Sequence, residues 1–119
     1  MTADAAERAT GAIVLACYRP KPGRDEALSE LIGRHVTLLR EHGLATQRDV
    51  VLLRSREDGT FIEIFEWISD AHAERAHHVP EVAALWAEMT ECAEFCSLGA
   101  LAEASRRFPH FDSVAGITR

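Results

Sequence analysis

At 119 residues the chain is long enough for one domain with a buried core and too short for two of ordinary size. With 19 acidic against 13 basic residues and a net charge of -6, it gives no electrostatic reason to approach nucleic acid or an anionic membrane; no apolar run approaches the roughly 20 residues of a spanning helix, so neither partner is expected. Three cysteines, Cys17, Cys92 and Cys96, are an odd and sparse set that suits a reducing compartment, and the expected location is the cytoplasm, with at least one free thiol.

Residues 1–11 carry no large apolar side chain except Met1 and are expected to form a flexible leader; a single domain is expected over residues 12–119. From Ala12 to Arg19, Ile13, Leu15 and Cys17 alternate with Val14, Ala16 and Tyr18, which predicts a strand ended by Pro20-Lys21-Pro22-Gly23. Leu28, Leu31, Ile32, His35 and Leu39 recur at helical spacing between Arg24 and His42, behind an acidic first turn and before Gly43, a C-terminal cap. Val50–Arg54 reads as a second strand, and Glu57-Asp58-Gly59-Thr60 as a tight hairpin turn into a third, Phe61 to Ile68.

That third strand is apolar on both sides. Phe61, Phe65 and Trp67 share one face with Glu63, and Ile62, Ile64 and Ile68 share the other, so each face needs a cover. Helices of the same chain would cover one, and a second copy of the sheet would cover the other, which predicts a homodimer. Ser69 or Asp70 is placed to cap a helix through His78, Pro80 to interrupt or restart it, and Glu81 to Phe95 to continue it with Val82, Leu85, Trp86, Met89 and Phe95 at helical spacing. A short helix over Leu98–Ala104 and a last extended segment over Phe108–Val114 complete the chain. The order strand, helix, strand, strand, helix, strand is the α+β, ferredoxin-like split β-α-β pattern with an antiparallel sheet.

Tyr18-Arg19-Pro20-Lys21-Pro22-Gly23, the strand Glu63-Ile64-Phe65-Glu66-Trp67-Ile68-Ser69, and Ala76-His77 followed by Pro80, Val82 and Leu85-Trp86 resemble the antibiotic biosynthesis monooxygenase-like group of dimeric α+β barrel proteins. The resemblance spans roughly Ala12 to Phe95. It implies a homodimer with facing sheets, and in each subunit a mostly apolar pocket between sheet and helices for a small aromatic or apolar molecule. Activities in the group include cofactor-free oxygenation of polyketide aromatics and haem degradation, and other members have no known activity. The haem-degrading branch has a Trp early in the second helical region, an iron-binding His ten residues later and an Asn on the first strand. Here the helix positions are Ala76 and Trp86 and strand one has no Asn, which disfavours haem. No cofactor is expected.

Three residues are candidates for acid-base chemistry. His35 lies on the apolar stripe of the first helix, either as a pocket base or as a core histidine bonded to backbone; His77 lies on the family pattern, either in the pocket or as a ring capping the break before Pro80. His78 should point elsewhere. Glu63 sits among aromatic residues where burial would favour a general base, or else occupies an edge position or pairs with Arg54 or Arg19. Trp67, Trp86 and Phe65 are core or interface anchors, or the walls of an aromatic pocket. Cys92 and Cys96 stand one helical turn apart in this reading, a spacing open to a metal, but no second ligand pair accompanies them and no metal site is expected; the His72, His77 and His78 group is read the same way. A cofactor-independent monooxygenase, a non-catalytic metabolite-binding or interaction module, and a cofactor-free isomerase all remain open.

Overall fold

In a computed structural model the described residues, 11–114, form a five-stranded antiparallel sheet with three helices, an α+β arrangement compatible with a ferredoxin-like subunit. Of the expected leader only Gly11 falls among them. The elements in chain order are β1 (Ala12–Pro20), α1 (Asp25–Glu41), β2 (Val51–Arg54), β3 (Phe61–Trp67), α2 (Asp70–Ala76), α3 (Pro80–Cys92), β4 (Ala93–Cys96) and β5 (Asp112–Ser113). The strands lie in the order β4-β1-β3-β2-β5, which puts β3 at the centre.

Local chemistry sets most boundaries. Gly43, at φ +68, ends α1 in the left-handed region, where a side chain would be strained, and Gly59, at φ +77, does the same in the β2–β3 connection. That connection is wider than the two-residue turn expected from Asp58-Gly59: Ser55 and Thr60 close it through their backbones, and the Asp58 carboxylate accepts from the Thr60 amide and hydroxyl. Ser69 caps α2 by accepting from the His72 amide, and Pro80 opens α3 at a position that needs no amide donor.

The helices cover one face of the sheet. Leu28, Leu31 and Ile32 of α1 pack with Leu85, Met89 and Cys92 of α3 over Tyr18 and Phe61, while Val36, Leu39, Ala76 and Val82 close over Phe65. On the opposite face the pairing register aligns two rows across the strands. One runs Cys96, Cys17, Ile62, Leu53, Ser113; the other runs Leu15, Ile64, Val51. Leu101 and Phe111, from the segment that follows β4, lie over the first row, so part of the cover expected from a second copy comes from the same chain. Ser55 donates to the buried Glu103 at 2.9 Å and holds that segment down.

Three expectations change. Helix α3 stops at Cys92 and the chain turns at once into β4, so Ala93 to Phe95 are strand, not helix, and Cys92 and Cys96 do not share a helical face. Cys92 enters the helix-side core and Cys96 the opposite row. Four residues are too few to display a strand period, so the helical pattern of Val82 to Met89 has no visible end in the sequence. Accordingly the strand that completes the ferredoxin-like order is β4, and the extended segment near Phe108–Val114 contributes only the two-residue edge strand β5. The helix expected over Leu98–Ala104 is a pair of 3-10 turns, Leu98–Ala100 and Ala102–Ser105.

Ile32 is fully buried between α1 and the sheet. Ile32→Ala is expected to cost about 2–5 kcal/mol in urea unfolding, the range for large-to-small changes in a closed core; a loss below 1 kcal/mol would mean that this layer is loosely packed.

Candidate functional site

Alternation along β1 and β3 turns Val14, Ala16 and Tyr18 to the same side as Phe61, Glu63, Phe65 and Trp67. Val14 and Ala16 are small, and the space they leave beneath the helices is a cavity of about 230 Å³ lined by both of them with Tyr18, His35, Phe65, Trp67, His77, Trp86 and Phe95. Five of the six residues singled out in the sequence, His35, His77, Phe65, Trp67 and Trp86, therefore share one wall system. The sixth, Glu63, lies beneath it.

Glu63 is fully buried on the central strand, so the alternatives of an edge position or an arginine partner do not hold: Arg54 pairs with Asp25 and packs over Phe61, and Arg19 pairs with Asp58. Its Oε1 accepts from the Tyr18 hydroxyl at 2.7 Å and lies 3.0 Å from His35 Nδ1. Oε2 has no hydrogen-bond partner among the described residues. His35 is equally buried, and its other nitrogen, Nε2, receives the Trp86 indole N–H at 2.8 Å. An indole nitrogen only donates, so Nε2 must present its lone pair and Nδ1 must carry the proton that goes to Glu63. The chain Trp86 to His35 to Glu63, joined by Tyr18, connects both long helices to the two central strands. It also refines one reading of His35: the ring is a core histidine, bonded to side chains, not to backbone.

Aromatic edges complete the walls. Phe65 meets Trp67 at 5.1 Å and His35 at 5.4 Å, both edge to face, and Tyr18 meets Phe95 at 5.1 Å. His77 caps α2 and presents its ring to Trp86 at 5.1 Å, so it both terminates the helix and lines the cavity. Its ring nitrogens have no hydrogen bond among the described residues, and the residue is exposed at the rim, as is Phe95. His78 faces away toward Glu74. His72 bonds Ser69 through Nδ1, and no group of three or more His, Cys, Asp or Glu capable of holding a metal exists among the described residues.

Tyr18 is the site residue that sequence reasoning missed. Its signal was present: it is the only tyrosine, and alternation from Val14 places it on the Glu63 face. Burial, and then the Glu63 carboxylate beside it, hold its hydroxyl well above the ordinary tyrosine range. No family model matches the chain, and neither a curated protein nor a solved structure is significantly similar to it.

Because the chain has one tyrosine, ultraviolet titration reads Tyr18 alone. The folded protein holds this proton more tightly than the unfolded chain, so the stabilisation is complete below the usual tyrosine pKa of about 10 and is lost as pH rises above it. Tyrosinate absorbance is expected to stay flat through pH 10 and to appear together with unfolding; free ionisation near pH 10 in the folded protein would contradict the buried contact. Tyr18→Phe removes one of two donors to a buried carboxylate and is expected to cost about 1–3 kcal/mol in denaturant unfolding.

Proposed function

We propose that the chain is a subunit of a dimeric α+β barrel of the antibiotic biosynthesis monooxygenase-like kind, binding a small aromatic molecule in the cavity between sheet and helices and oxygenating it without a cofactor. The observation that carries this reading is the apolar cavity walled by Phe65, Trp67 and Trp86 with an imidazole, His77, at its rim. At about 230 Å³ it falls below the ~300–1,000 Å³ of common ligand pockets, which suits one or two aromatic rings better than a polycycle. His77 is the natural base, because both nitrogens of His35 are already engaged. His77 takes a proton from an acidic carbon next to a phenol or enol; the carbanion gives its electrons to dioxygen and forms a hydroperoxide. Loss of water then leaves one oxygen on the substrate as a carbonyl. The substrate is the reductant.

The homodimer is supported by the row Leu15, Ile64, Val51 together with Ile13: Ile13, Leu15 and Val51 are 48%, 45% and 46% exposed on the sheet face that the helices leave open. A second sheet of the same kind would cover them. Leu15→Arg is expected to convert dimer to monomer in analytical ultracentrifugation at micromolar concentration, and a monomeric wild type would overturn this part of the reading.

One observation favours a second reading, a non-catalytic metabolite-binding module: the buried polar side chains His35 and Glu63 are bonded to each other and to Tyr18 and Trp86, as a structural network would be. Thermal-shift screening with phenols, naphthols and quinones tests the binding claim common to both, since a ligand of the native state raises the melting temperature. Among compounds that bind, His77→Ala is expected to abolish oxygen uptake while moving the melting temperature little, because the ring is exposed. Binding without oxygen uptake would leave the module, and a flat screen would contradict both.

A further inference from the structure

Strand β4 pairs with β1 so that Cys96 stands directly opposite Cys17. Alternation turns both side chains away from the aromatic cavity and into the row beneath Leu101. Opposed residues of antiparallel strands hold their Cβ atoms about 4.5–5.5 Å apart, and a disulfide joins Cβ atoms about 3.5–4.5 Å apart, so a small approach of the strands suffices. That approach is cheap here, because β4 is a four-residue edge strand bonded on one side only. Cys92, the third thiol, lies in the helix-side core with its sulfur against Arg24 and does not compete.

We infer that Cys17 and Cys96 form an oxidisable thiol pair that hydrogen peroxide converts to a cross-strand disulfide within one chain. Cys96 is half-buried and reacts first: its sulfur attacks one peroxide oxygen, the O–O bond breaks, and Cys96 sulfenic acid and one water result. The Cys17 sulfur then attacks the sulfenic sulfur, and its proton leaves with the hydroxyl as a second water. Two thiols lose two electrons in all and one peroxide gains them. Burial sets this order, since it hides Cys17 from solvent and, with Cys96 beside it, raises its thiol above the ordinary range, making it a poor first nucleophile. In the second step proximity replaces acidity.

The residues next to the pair, Tyr18 and Phe95, face the cavity and touch edge to face. A Cys17–Cys96 bond would therefore pin the strand carrying Phe95 to the strand carrying Tyr18 and fix one wall of the cavity. That consequence rests on the ligand-binding reading above; the disulfide itself does not.

The test treats native protein with hydrogen peroxide, removes the oxidant, alkylates under denaturing conditions and maps peptides after cleavage by a glutamate-specific protease, which cuts at Glu94 and separates Cys92 from Cys96. The expected result is an intrachain Cys17–Cys96 peptide lacking two hydrogens, with Cys92 alkylated, and full recovery of all three thiols after dithiothreitol. In Cys17→Ser the reaction should halt at Cys96 sulfenic acid, trapped by dimedone. Recovery of Cys17 and Cys96 both alkylated after oxidation, or a bond joining Cys96 residues of two chains, would overturn the proposal; because wild-type mapping decides it, the fold of the variant is not critical.

Discussion

The buried carboxylate of Glu63 is the constraint around which the rest of the molecule is arranged. A charged or polar group on the central strand, out of reach of water, costs several kcal/mol unless donors meet it, and here the donors come from elements far apart in sequence. Tyr18 fixes β1 against β3. His35 fixes α1 above them, and Trp86, by donating to the far side of the same imidazole, fixes α3. Apolar packing alone would allow these layers to slide, because dispersion and hydrophobic burial have little direction; the hydrogen-bond chain admits one register and one tilt. The aromatic cavity is a by-product of that register: the small side chains of Val14 and Ala16 leave space there beneath the helices.

The two faces of the sheet divide the work. Toward the helices Tyr18, Glu63, His35 and Trp86 are joined in the chain of bonds, and His77 stands at the rim of the cavity. Away from them, Leu101 and Phe111 close one row of side chains and leave Ile13, Leu15 and Val51 exposed on either side of the half-buried Ile64. The Ser55–Glu103 bond holds that partial lid, and it encloses Cys17 while leaving Cys96 within reach of solvent. A single register thus yields an aromatic cavity on one side and both a thiol pair and an open apolar row on the other.

Much of this was legible in the sequence because it depends on periodicity. The alternation from Phe61 to Ile68 placed Glu63 with the aromatics, helical spacing put His35 on the buried stripe of α1, and Pro80 marked the break before α3. What was illegible depends on pairing. Nothing in Glu63 or His35 alone says that each is the other's partner, and the arginine proposed for Glu63 was a reasonable choice that Asp25 and Asp58 took instead. Strand β4 was hidden because four residues following a strongly helical segment carry no period of their own, and with β4 went the opposition of Cys17 and Cys96. Glu103 gave no signal, since an acid in a short turn normally faces solvent.

The most direct test of this account is the tautomer of His35, read from long-range proton–nitrogen correlation spectra of the histidine rings, with assignment by His35→Gln. The hydrogen-bond chain predicts a ring protonated at Nδ1, with Nε2 unprotonated and a Trp86 indole proton shifted by its acceptor. A ring protonated at Nε2 would contradict it, because the indole could not then donate to that nitrogen and the link from β3 through α1 to α3 would not exist.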